Sequence, residues 1–178
     1  MPMYVISGGP FAGKSTTIAL LEKRGLSVVH EISKPIIDEY VASNGGKPPW
    51  KTKDCEWFQK EVFRKQLLAE SKVDEGVVFL ESALPDRVAI SELEGVNIPS
   101  KIKKLNLAQR YRLVFFLDAL PDKMYRTDTH RPGSIKNARA IRAKKELVYK
   151  RLGYSLIPVP FLSAEKRVDF ILEMVRHD

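Results

Sequence analysis

Cysteine is nearly absent from this chain: Cys55 is the only one among 178 residues. No intrachain disulfide can form, and the sequence fits a reducing compartment. Histidine is scarce too, and His30, His130 and His177 show none of the spacings that hold zinc. Long hydrophobic runs are missing. The longest, Val77-Val78-Phe79-Leu80 and Leu113-Val114-Phe115-Phe116-Leu117, are strand-sized, whereas a membrane span needs about 18 residues. No internal repeat or low-complexity segment is present, and no N-K-x-D-type guanine signature, so a choice between ATP and GTP cannot be read. The first apolar run begins at Met3, which leaves no room for a signal peptide and makes the cytoplasm the expected location.

What is there starts with one motif. Gly8-Gly9-Pro10-Phe11-Ala12-Gly13-Lys14-Ser15 matches G-x-x-x-x-G-K-[ST] without a mismatch, directly after the β-rich run Met3-Tyr4-Val5-Ile6. A loop that wraps a polyphosphate must aim several backbone N–H groups inward. Gly8 and Gly13 permit the positive-φ or close-approach geometries that a Cβ blocks. Lys14 adds a point charge for the β- and γ-phosphates, and the Ser15 hydroxyl is a ligand for the Mg²⁺ that accompanies them. Residues 8–16, from Gly8 through Ser15 to Thr16, are therefore the nucleotide-binding candidates. Hydrophobic content of 44% and charged content of 29% are those of a globular protein, and the length suits one domain.

Along the chain, helical patterns are expected over 14–24 (closed by Gly25), 33–44, 54–75, 85–95, 134–152 and 163–175, and short apolar strands over 3–6, 26–30, 76–82, 113–117 and 155–160. Apolar residues at several angles around 54–75, among them Trp57, Phe58, Val62, Phe63 and Leu68, suggest a helix buried on more than one side. Ala138, Ile141, Val148 and Leu152 give the next long helix its buried stripe. Five strands alternating with helices, the first feeding a phosphate loop, argue for a three-layer α/β/α domain around a parallel sheet. Such sheets bind ligands at the carboxyl ends of their strands. Glu31, Glu81-Ser82 and Asp118 thereby join the loop as site candidates.

These features together resemble the P-loop kinase-like family of predicted AAA-type ATPases, relatives of ribosylnicotinamide, thymidylate and deoxynucleoside kinases. The resemblance rests on residues 8–15, on His30-Glu31 before a helix, on Leu84-Pro85-Asp86, on Asp128-Thr129-His130-Arg131, and on Leu152-Gly153-Tyr154 through Val159-Pro160 and Glu165-Lys166-Arg167-Val168. It implies a nucleotide-kinase-like fold with strand order 2-3-1-4-5, spanning 1–178 as a single P-loop NTPase domain, with a small helical lid within 119–152. In two places the chain departs from the family pattern. Glu81-Ser82-Ala83 stands where relatives carry Asp-Arg-Gly, so an arginine is missing, and Lys34 is the candidate for the basic residue that follows the glutamate after the second strand.

Phosphoryl transfer asks mainly for positioning and charge stabilisation. Lys14 and the loop amides serve the donor phosphates. Glu81 is a candidate for orienting the nucleophile or holding Mg²⁺ together with Ser15; its competing role is a buried carboxylate paired with a lysine. Glu31 is placed to accept a proton from an acceptor hydroxyl, or alternatively to cap a helix. Arg131 is the candidate lid arginine over the transferring phosphate, oriented by Asp128, with Arg126, Arg139 and Arg142 nearby. Trp50 and Trp57 either line an acceptor pocket or belong to the core. The leading expectation is an ATP-dependent, Mg²⁺-requiring kinase acting on a nucleoside- or nucleotide-like small molecule. The net charge of +8 and the basic run through Lys101, Lys103, Lys104, Arg110 and Arg112 support two alternatives. One is an NTPase or switch protein that binds an anionic partner, acidic lipid or RNA; the other is a polynucleotide 5′-hydroxyl kinase. A solvated helix face is the plainer reading of that run.

Overall fold

A computed structural model describes residues 2–72, 76–119, 121 and 135–178. The elements run β1 (Met3–Gly8), α1 (Lys14–Lys23), β2 (Ser27–Val29), α2 (Ser33–Ser43), α3 (Cys55–Ser71), β3 (Val78–Glu81), α4 (Leu84–Glu94), α5 (Ser100–Lys103), β4 (Leu113–Leu117), α6 (Ile135–Arg151), β5 (Leu156–Val159) and α7 (Ala164–Arg176). The strands form one five-stranded sheet in the order β2-β3-β1-β4-β5, and every neighbouring pair is parallel. The expected three-layer architecture and strand order are both present.

Alternation along the central strands builds two cores. Tyr4, Ile6, Phe79, Phe115 and Leu117 point to one face, where Ile18 and Leu21 of α1 and Val168 and Ile171 of α7 cover them. Val5, Val78, Leu80 and Val114 point to the other, against Ala83, Tyr111 and Tyr149. Outside that layer, Phe63, Leu84, Val88, Ala89 and Val148 join α3, α4 and α6. Ile36, Ile37, Val41, Phe58 and Val62 join α2 to α3. Each fully buried aliphatic side chain contributes about 1.5–3 kcal/mol. The helix after β1 therefore packs on one face and the helix after β3 on the opposite face, although these strands are neighbours. The crevice at their carboxyl ends is where an open parallel sheet places its ligand.

Several expectations shift. Helix α3 ends at Ser71 and is buried on two sides, through Phe58 and Val62 against α2 and through Phe63 against α4; Trp57 and Leu68 are exposed, while the polar Gln59, Gln66 and Glu70 are buried. Its buried stripe pairs polar groups with one another. Glu70 accepts from Gln66 Nε2 at 3.0 Å, from Arg110 Nε at 2.6 Å and from Tyr111 Oη at 3.1 Å. Burial pushes the Glu70 carboxyl above its usual range, outweighing the Arg110 guanidinium beside it. The basic run contains only the four-residue α5 and a 3₁₀ turn at Leu107–Gln109. Arg110 is taken up by Glu70, and Arg112 by Asp178 at 2.7 Å. Lys101, Lys103 and Lys104 are exposed, as a solvated face requires. Among the described residues no helix is long and apolar enough to cross a membrane.

Candidate active site

The phosphate loop leaves β1 at Gly8 and enters α1 at Lys14. Gly8 has φ 142° and Gly13 φ 82°. A Cβ on Gly8 would come within 2.9 Å of the Leu117 carbonyl oxygen, so the first glycine is required both by torsion and by the closeness of β4. Phe11, φ 60°, and Ser82, φ 69°, also adopt the left-handed region without being glycine. Such strain persists only where the surroundings over-determine it. Around Ser82 they do: its N–H donates to Ile6 O at 3.2 Å and its carbonyl accepts from Gln66 Nε2 at 3.4 Å. Both strained residues sit at the carboxyl ends of adjacent strands, one in the loop after β1 and one directly after β3.

Lys14 donates to Gly9 O at 2.8 Å. Burial brings its ammonium down to about 8, and Lys145 presses in the same direction against the pull of Glu31, Glu81 and Asp86. Burial disfavours this charge, and an anion placed beside it would favour it. Gly13, the residue before α1, carries no side-chain cap, which leaves the first-turn amides and the positive end of the helix dipole for a ligand. Behind the loop, Arg167 donates to Gly13 O and to Thr17 Oγ1, each at 3.2 Å.

Ser15 Oγ donates to Glu81 Oε1, and the Glu31 N–H donates to Glu81 Oε2 at 3.2 Å. Glu81 is buried and is engaged by a hydroxyl and an amide. The pair Ser15 and Glu81 offers a hydroxyl and a carboxylate converging from α1 and β3, hard oxygen donors that suit Mg²⁺ with water completing its shell. Among the described residues no cluster of three or more His, Cys, Asp or Glu suited to a metal occurs.

Glu31 holds the start of α2 and an ion pair at once. One carboxylate oxygen accepts from Ser33 Oγ at 2.8 Å and Ser33 N at 3.3 Å, at the start of α2, while the same oxygen meets Arg87 Nη2 at 2.7 Å. The basic partner of Glu31 is therefore Arg87, from the first turn of α4. Lys34 is exposed. The signal for Arg87 was spacing: it falls three residues after Leu84 and four before Ser91, on the buried face of α4.

Glu31, Ser33 and Arg87 border a cavity of about 420 Å³, whose lining does not include Ser15 or Glu81. Lys14 and Phe11 reach it from the loop after β1, and Ile37, Trp50, Phe58 and Leu93 give it apolar walls. Gln59 and Glu94 add a hydrogen-bonded polar pair. Trp50 packs on Phe58 with ring centroids 6.2 Å apart, so it is a wall residue, whereas Trp57 is exposed beside Tyr40. Asp118 does not reach this cavity; it pairs with Arg142 at 3.1 Å, and that guanidinium lies 4.9 Å from the Phe116 ring centroid. Arg131, with Arg126, Asp128 and much of the candidate lid, lies outside the described residues.

A second buried cluster went unread in the sequence. Asp86, fully buried, accepts from Ser7 Oγ at 2.6 Å, Ala83 N at 2.8 Å and Tyr149 Oη at 2.5 Å, and meets Lys145 Nζ at 3.0 Å. Burial alone would raise this carboxyl; Lys145 and Arg87 with the hydroxyl donors overcome it and hold it below the usual range. Lys145 also donates to Gly8 O at 3.2 Å.

The fold and site define a P-loop nucleotide-binding domain of the nucleotide-kinase type. The chain belongs to a family described as an AAA domain, whose profile matches residues 3–167. No curated protein matches it in sequence. Among solved structures it is similar to deoxyadenosine kinase from M. mycoides, with 14% identity, 98% of each chain covered and a TM-score of 0.61. Shikimate kinase from Aquifex aeolicus shows 15% identity, coverage of 98% of this chain and 96% of that one, and a TM-score of 0.54. Thymidylate kinase from Candida albicans shows 12% identity, coverage of 99% and 91%, and a TM-score of 0.56. At identities this low the likeness shows a common fold alone.

Proposed function

We propose that the chain is a kinase that transfers the γ-phosphate of ATP, or of GTP, to a hydroxyl of a nucleoside- or nucleotide-like small molecule seated in the cavity. The observation that carries this reading is continuity: Lys14 of the phosphate loop and Glu31 border the same cavity as the apolar residues Ile37, Trp50 and Phe58. A hydrolase needs a place only for water. A pocket of about 420 Å³ with aromatic walls and a few polar groups is what an organic acceptor needs.

In this reading Lys14 exchanges Gly9 O for the β/γ-phosphate oxygens, and the amides at the start of α1 take the rest of the polyphosphate. Mg²⁺, held through Ser15 and Glu81, would supply charge neutralisation between the phosphates. Glu31 accepts the acceptor hydroxyl's proton as that oxygen bonds to γ-phosphorus. The bond from phosphorus to the β,γ-bridging oxygen breaks, and the nucleoside diphosphate leaves. Arg87, 2.7 Å away, orients Glu31.

The test is a screen of nucleosides, nucleotides, other small hydroxyl compounds and 5′-hydroxyl oligonucleotides with γ-labelled ATP. Label on a small acceptor is the expected result. Label confined to free phosphate would make the chain an NTPase, and label confined to oligonucleotides a polynucleotide kinase. Within the basic run, Arg110 is engaged by Glu70 and Arg112 by Asp178, which leaves the exposed Lys101, Lys103 and Lys104 as that run's support for an anion-binding switch.

A further inference from the structure

We propose that Lys145 of α6 is a second phosphate-binding cation, which leaves Asp86 to contact the nucleotide's polyphosphate alongside Lys14. The inference rests on the phosphate-site reading above and adds to it a group remote in sequence from the loop.

Placement comes first. Lys145 is buried, borders the cavity together with Lys14, and already touches the phosphate loop at Gly8 O, 3.2 Å away. The face of α6 that carries it lies on the loop: a Cβ on Gly9 would sit 3.2 Å from Arg142 Cβ and 3.4 Å from Ala138 O. Ala138, Arg142 and Lys145 are spaced by four and three residues, one helical face.

Releasability comes second. Asp86 would not be orphaned by the departure of Lys145, because Ser7, Ala83 N–H and Tyr149 donate to it at 2.5–2.8 Å, all closer than the 3.0 Å of the lysine. A carboxylate accepting several hydrogen bonds is stabilised as an anion without an ion pair.

A purely structural lysine must be separated from this one, and the variants do so with inorganic tripolyphosphate plus MgCl₂ as the probe, measured by calorimetry. Lys145→Met in an Asp86→Asn background removes the pair together, so that no buried charge is stranded. The expected result is a folded protein with tripolyphosphate affinity reduced about ten- to a hundred-fold, the usual range for one lost charge-assisted contact. Asp86→Asn alone frees the lysine, and a few-fold tighter binding is expected. Wild-type affinity in the folded double variant overturns the proposal, as does unchanged or weaker binding by folded Asp86→Asn. Failure of both variants to fold makes Lys145 a core residue and overturns it as well. Lys14→Ala keeps the two readings apart. If wild type and Lys14→Ala bind the probe equally, or wild type not at all, the phosphate-site reading itself fails. If only Lys14→Ala loses binding, that reading stands and the assignment of Lys145 falls.

Discussion

Asp86 and Glu31 each meet a cation within the same crevice, and the two pairs are built differently. The carboxylate of Asp86 has no exposure, and its partners arrive from β1, from the turn before α4 and from two positions on α6. It therefore knits three elements into one unit. Glu31 is about one-eighth exposed and shares its partner Arg87 with local contacts from Ser33, while bordering an open cavity. A carboxylate with partners from remote elements makes stability; one with a cavity beside it keeps capacity for chemistry. If this contrast is right, replacing the first should damage the fold and replacing the second should damage the reaction.

Asp86→Ala is the severest way to sharpen it. The change strands the Lys145 ammonium in the interior and removes the acceptor of Ser7, Tyr149 and the Ala83 amide. Removing one partner of a buried pair costs about 3–5 kcal/mol. Chemical denaturation should show a loss of that size, with the midpoint shifted and the slope nearly unchanged. A loss below about 1 kcal/mol would erase the distinction between the two pairs.

Lys14→Ala should act in the opposite direction. The Lys14 ammonium is held at about 8 against an ordinary 10.5. The folded protein thus binds this proton more weakly than the unfolded chain does. Below about pH 8 the ammonium is charged in both states and its burial is a standing cost. Between about 8 and 10.5 the unfolded chain binds more proton, so stability from this group rises with pH and levels off above. At about 1.36 kcal/mol per pKa unit the full span is about 3 kcal/mol. Burial and the repulsion of Lys145 set the shift, while Glu31, Glu81 and Asp86 oppose it. The unliganded alanine variant should therefore be more stable than wild type at pH 7, by up to about 3 kcal/mol, and the gap should close by pH 10.5. Adding Mg-ATP should reverse the order, because only wild type retains the charge that the phosphates need. Thermal melts of both proteins across pH, with and without Mg-ATP, measure the two effects. Equal stabilisation of both proteins by ATP would remove Lys14 from the phosphate site.

How far these groups could be read from sequence follows the same divide. The phosphate loop is eight contiguous residues whose backbone geometry dictates their identity, so Gly8, Gly13, Lys14 and Ser15 stand where the motif puts them. The strand-end rule located Glu31 and Glu81 for the same reason: a parallel sheet aims its carboxyl ends at one crevice. The strand order came with the family resemblance, since nothing local encodes which strands become neighbours. Lys145, Gln59, Gln66 and Arg87 belong to no contiguous motif and stand at no strand end, so neither signal reaches them. Yet Lys145 lies on the stripe Ala138, Ile141, Val148, Leu152, and Gln59 and Gln66 stand three before and four after Val62. A polar residue in register with an apolar stripe was the available signal. Asp118 met the strand-end rule and still fell outside the cavity, because the rule selects an edge of the sheet and the packing of α6, through Arg142, decides what that edge faces.

Glu31→Gln should have the smallest effect on stability and the most informative one on function. Glutamine keeps an oxygen that can accept from Arg87 and Ser33, so the start of α2 and the orientation of α4 retain their hydrogen bonds. What disappears is the negative charge, and Arg87 remains beside a cavity that admits water. A cost of about 1–2 kcal/mol is expected, typical of weakening a hydrogen bond to a charged group without leaving a donor stranded. An amide cannot take up the acceptor's proton, so kcat should fall about 10²–10⁴-fold once an acceptor is known, while Mg-ATP affinity, set by Lys14 and the loop amides, should stay near wild type. Calorimetry of nucleotide binding and single-turnover transfer rates on the same preparation separate these quantities. A variant that transfers phosphate at the wild-type rate would reduce Glu31 to the cap of α2, and the two carboxylates would then differ in degree of burial only. A variant as destabilised as Asp86→Ala would show that the Arg87 pair, too, belongs to the framework rather than to the chemistry.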